Sequence, residues 1–213
     1  MKTICKRIFL ELKSLRLLLI APLIAVHILL PLTSYLLSRR NPDEFYSYII
    51  MLGMIIIPVS SVIWSLFILK ENVEGKGNEL LYIGKSRIKF WDCLIPYLVF
   101  FLTVLVQYGI YTALVPAFLL ETIRISGICF MFCAMTYLLT YTAKSASLTL
   151  MVLLIYTIIS FLFSTKPDNF ILYMDIEPFE RKWIISNTVP QIALGAAFMA
   201  FSLRLNKRFC KFN

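Results

Sequence analysis

Six stretches of this chain are too long and too apolar to be core helices of a soluble domain, and that restricts the fold more than any motif does. The hydrocarbon layer of a bilayer is about 30 Å thick, and a helix needs about 20 apolar residues to cross it. Inside lipid, every backbone N–H and C=O must find a partner within the protein, so a spanning segment is a helix or part of a closed barrel. The runs predict helices over about 15–37, 46–69, 91–115, 118–141, 146–165 and 185–204. The expected fold is therefore all-α and integral to the membrane, with six transmembrane helices in a single transmembrane domain over 1–213. Composition points the same way. Hydrophobic residues make up 60% of the chain, charged residues 15%, and mean hydropathy is +0.81. A soluble domain is about 45–50% apolar and about 25% charged. The loops and tails that remain are too short for a separate catalytic domain.

The chain carries a net charge of +9. Lysine and arginine concentrate on the cytoplasmic loops of membrane proteins, and this bias sets orientation. With both termini inside, the N-terminus, the 70–90 loop, the 142–145 link and the tail hold 15 of the 21 basic residues. The other side holds six: Arg39, Arg40, Arg124, Lys166, Arg181 and Lys182. The split predicts an N-in, C-in topology. Basic charge is thereby explained by topology, with no nucleic-acid partner. Tyr46, Tyr48, Tyr111 and Trp183 near one set of span ends, and Trp64, Trp91, Tyr137 and Tyr141 near the other, read as headgroup anchors.

Three segments are neither spans nor simple turns. Residues 1–16 place Ile4, Ile8, Leu12 and Leu15 at helical spacing among five basic residues, the pattern of a helix lying in the membrane interface. The following apolar run passes Leu30 with no small-residue cleavage pattern, so it reads as a retained span rather than a signal peptide. Residues 70–90 pass through Gly75 and Gly77 into a short amphipathic piece. Residues 166–183 hold an apolar core too short to cross, expected to be partly inserted.

Enzyme chemistry finds few candidates. A zinc protease of the H-E-x-x-H kind needs two histidines, and the chain has one, His27. No G-x-S-x-G accompanies a serine nucleophile. The run 79–86 ends Gly84, Lys85, Ser86 like a phosphate-binding loop, but Glu79 stands where the first glycine is required and would repel phosphate. Cys129 and Cys133 are four apart without a further Cys or His nearby in sequence, so they read as packing. Glu121 and Arg124, three apart, are helical neighbours that can pair. The chain is thus expected to be non-catalytic, with no bound cofactor and no metal. His27, in the middle of the first span, and Ser61 and Ser65, on one face of the second, are candidates for a polar translocation path. Ala193, Gly195, Ala196 and Ala197 are expected to let the sixth helix pack closely, Ala193 and Ala197 foremost.

This layout resembles the membrane subunit of ABC transporters of the ABC-2 exporter type. The local motif is Glu74, Gly75 and Gly77, then Glu79, Leu80, Leu81, and later Ser86, Arg87. The spacing departs by about one residue on each side, and the family's proline is absent. The resemblance implies an interfacial N-terminal helix, a cytoplasmic coupling helix between spans two and three, and a partly inserted outer hairpin between spans five and six. It implies that Glu79, Leu80, Leu81, Ile83, Lys85 and Arg87 dock on a separate cytoplasmic ABC ATPase, which would hold ATP and magnesium. A second permease copy, or a related subunit, would complete the channel in a bacterial plasma membrane. The cargo would be hydrophobic or amphipathic, such as a drug or an antimicrobial peptide. The alternative reading is a six-span sensor, assembly factor or channel subunit.

Overall fold

The computed structural model describes residues 17–39, 41–74, 86–162, 181 and 184–209. Helices account for nearly all of these, and there is no strand among the described residues. We number the helices α1 (Leu17–Leu37, interrupted by a π turn), α2 (Phe45–Glu74), α3 (Ser86–Leu114), α4 (Phe118–Ala143), α5 (Ala146–Leu162) and α6 (Val189–Phe209). Five are long and apolar enough to cross a membrane, and α5 is a shorter apolar helix of 17 residues. The chain is a multi-pass membrane protein. The expected interfacial helix at 1–16, most of the 70–90 segment and most of 166–183 lie outside the described residues.

Prolines shape the helices in two ways. α1 contains a π turn at Ala25–Leu29, and another, Ile184–Thr188, leads into α6. Each ends two residues before a proline, Pro31 or Pro190. Proline has no N–H to donate and its ring clashes with the carbonyl four residues back. A widened turn relieves that clash, and π turns of this kind are often found at functional sites. Pro58 and Pro96 sit within α2 and α3 with no such turn.

α2 and α4 form the centre. About two thirds of the most apolar stretch of α2 (67%) and of α4 (61%) is buried, against 22% for α1 and 28% for α6. α4 packs along α2, α6, α3 and α5, while α1 lies mainly on α2. The outer faces of α1, α3, α5 and α6 carry exposed Ile28, Leu32, Leu102, Val106, Met151, Ile158 and Ile192, as lipid contact requires.

The α4–α6 seam departs from expectation. Gly195 faces α4, where a Cβ would come within 2.9 Å of Phe130 and 3.2 Å of the Met131 Cα. Ala193, Ala196 and Ala197 lie on the exposed side instead. Gly195, with Gly127 of α4 against Thr188, permits this close approach rather than the alanine stripe. The aromatic reading is corrected at three positions. Trp64, Tyr137 and Tyr141 are buried, and Trp64 donates its indole N–H to the Leu19 carbonyl of α1 at 3.0 Å. They pack helices together rather than sit among headgroups.

The helix ends differ in chemistry. At one end, Val115–Ala117 turns α3 into α4. At the other, Lys144 adopts a left-handed conformation (φ 53°) that closes α4. Ser145 then caps the start of α5, its carbonyl accepting from the Thr149 N–H at 3.3 Å.

Candidate functional site

Polar side chains inside an apolar bundle are costly unless paired, so each is a candidate for function. Besides Thr188, Gln191 and Ser202 in and before α6, they form three groups and a layer between them.

The first is the α1–α3 seam. In an α-helix the Leu30 N–H would bond to the Val26 carbonyl. The π turn sends it to Ala25 instead. Gln107 of α3 supplies a donor to the Val26 carbonyl, Nε2 to O at 3.2 Å, and also donates to the Tyr111 hydroxyl at 2.8 Å. One turn away, His27 Nε2 lies 3.0 Å from Thr103 Oγ1. The Thr103 hydroxyl donates its own hydrogen to the Phe100 carbonyl at 2.7 Å. It is left an acceptor toward His27, which places the imidazole proton on Nε2. The lone histidine therefore bonds to a neighbouring helix.

The second place is the end of the bundle near 115–117. Glu121 and Arg124 pair at 2.5 Å, with only 1% and 2% of their side chains exposed. Tyr108 of α3 lies within electrostatic reach of both. Its ring stands edge-on to Tyr111 and Phe118, and its hydroxyl fills the space beside Gly53 of α2. The expected pair is present, but it is a core feature rather than a surface one. Glu121 in the first turn of α4 also complements the positive end of the helix dipole.

The third is the end near 144–145. Asn72 Nδ2 of α2 donates to Asp92 Oδ2 of α3 at 3.1 Å. The Ala146 N–H of α5 donates to Glu74 Oε1 of α2 at 2.7 Å, which caps α5 with a carboxylate from another helix. Lys89 of α3 stands over the Tyr141 ring of α4, 5.6 Å from its centre. Three contacts thus join α2, α3, α4 and α5 around the two residues, Glu74 and Ser86, that border segment 75–85.

Between these ends lies a layer of thiols and hydroxyls. Cys93, Cys129 and Cys133 are free and buried, with Cys93 Sγ 3.8 Å from Cys133 Sγ. No group of three or more His, Cys, Asp or Glu side chains among the described residues is arranged to hold a metal. Ser61 donates to the Pro58 carbonyl at 2.8 Å and Ser65 to the Cys93 carbonyl at 2.7 Å. Both serines are fully buried. His27 lies apart from them on the α1–α3 seam, so hydrogen bonds do not join the three expected path residues.

Of the expected docking residues, Glu79, Leu80, Leu81, Ile83 and Lys85 lie outside the described residues. Arg87 falls in the first turn of α3. Sequence reasoning passed over Gln107 and Asn72, and placed Asp92 only at a span edge. The available signal for Gln107 was a lone amide in a long apolar run.

The chain matches no protein-family model, no curated protein and no solved structure. Its function has to be argued from these side chains.

Proposed function

We propose that this chain is the permease subunit of an ATP-driven exporter of the ABC-2 type, carrying no catalysis of its own. The supporting observation is the clasp near 144–145. Segment 75–85 leaves from Glu74 and rejoins at Ser86, and side chains within a few residues of both points tie α2 to α3 and α5, and α3 to α4. A force applied to that segment would be shared by four helices at once. α2 has 30 residues and α3 has 29, so at 1.5 Å per residue each runs about 43–45 Å. Both outrun an apolar layer of about 30 Å.

In this reading both termini and 75–85 face the cytosol of a bacterial cell. Leu80, Leu81 and Ile83 fill an apolar cleft on an ABC ATPase, with Glu79, Lys85 and Arg87 paired at its rim. The ATPase holds ATP and magnesium. Nucleotide-driven closure of two ATPases shifts the helices between inward and outward arrangements. A second permease copy, or a related chain, supplies the other half of the path. The cargo is hydrophobic or amphipathic, and this reading assigns His27, Ser61 and Ser65 to the polar part of its path.

The test is capture. The full chain should copurify with a cytoplasmic ABC ATPase and raise its ATP turnover. Leu81→Asp and Arg87→Glu should abolish both while the permease still inserts. Conductance without nucleotide, with no ATPase captured, would move the chain to the channel class.

A further inference from the structure

α5 (Ala146–Leu162) begins beside the end of α2, where its Ala146 amide reaches Glu74. Between them runs a groove of about 240 Å³. Its walls include Ile63, Leu66 and Phe67 of α2 and Leu150 of α5, with Lys70 and Ser147 toward the 144–145 end. From Ile63 to Lys70 the α2 wall extends about 10 Å. Lys70, Ser147 and Lys144 are all exposed. Glu74, one turn further along α2, is engaged by the Ala146 amide.

We propose that this groove is a binding site for an anionic phospholipid. One acyl chain lies along Ile63, Leu66, Phe67 and Leu150, and the phosphate meets the Lys70 ammonium with the Ser147 hydroxyl beside it. Two arguments select this occupant. The walls are apolar and belong to a helix pair immersed in lipid, where acyl chains are the abundant apolar filler. The polar groups at the mouth are the Lys70 ammonium and the Ser147 hydroxyl, which complement a phosphate; a net negative headgroup gains from the lysine, whereas the choline cation of phosphatidylcholine offsets its own phosphate. A lysine at the bilayer surface favours anionic lipid without forming a deep pocket. The site does not depend on the exporter reading. It requires only that α2 and α5 lie in a membrane.

The experiment uses the full chain, released gently from detergent in a native mass spectrometer after exposure to single lipids. Phosphatidylglycerol should be retained about fivefold over phosphatidylcholine, the discrimination one surface lysine provides. Lys70→Gln should remove that preference, and Lys70→Arg should keep it. Leu150→Trp, which fills the groove, should lower retention of both lipids. Equal retention of the two lipids by the unaltered chain, or a preference that survives Lys70→Gln, overturns the proposal. A photo-crosslinker at Phe67 separates a rival occupant. Capture of lipid supports the site, and capture of this chain's own residues 1–16 overturns it.

Discussion

The two ends of the bundle both bury charge, but they spend it differently. Near 115–117, the Glu121–Arg124 pairing runs along a single helix. Near 144–145, the contacts of Asn72 with Asp92, Glu74 with the Ala146 amide, and Lys89 with Tyr141 all run between helices. A pair within one helix neutralises charge where the helix is buried. Contacts between helices fix their relative positions. In the exporter reading, the contacts near 144–145 are the ones that pass motion between helices.

Substitutions can break that contrast. The largest effect is expected at Arg124. Arg124→Met leaves Glu121 buried beside a neutral side chain and should cost about 3–5 kcal/mol. Adding Glu121→Gln should recover much of it, as read by denaturant titration in detergent. Equal loss in the single and double variants would show that the pair is not the source of the stability.

Gly195→Val should cost about 1–3 kcal/mol, because the new side chain meets Phe130 and the Met131 backbone across the α4–α6 seam. Ala197→Val, on the exposed side, should be nearly silent in the same unfolding assay. A reversed order would restore the alanine stripe as the packing face.

At the other end, Glu74→Ala should cost about 1 kcal/mol, the worth of one cap, and Asp92→Ala about 1–3 kcal/mol. In the exporter reading, both should reduce ATPase stimulation more than their stability loss explains, and Arg124→Met should not. Turnover per folded complex makes that comparison. The smallest effect is expected at Lys144. Glycine relieves its positive φ, so Lys144→Gly should stabilise the chain by up to about 1 kcal/mol.

The spans were legible because lipid leaves the backbone so few options. Apolar run length alone placed α4 at 118–141 against the observed Phe118–Ala143. The ends of α2 and α3 were less legible. Lys70, Glu71 and Asn72 ended the apolar run, but an α-helix continues past its apolar stretch when neighbours bond its polar turns, as Asp92 and Ala146 do here. Glu121 and Arg124 were legible as a pair because their spacing is local. Their burial was not, since it depends on which helices enclose α4. Gln107 and the Val26 carbonyl could not be matched from sequence, as they are 81 positions apart and meet only because a π turn redirects Leu30. Ser61 and Ser65 share a face as expected, yet their hydroxyls are used in packing. Periodicity reports a face, not what lies against it.

The exporter account stands or falls on where residues 75–85 lie. With the five native cysteines replaced, a single cysteine at Leu81 can be probed with a membrane-impermeant maleimide. Labelling of inverted vesicles and silence in intact cells is the predicted result. Labelling in intact cells would put the segment outside, where no cytosolic ATPase could reach it, and would contradict the account.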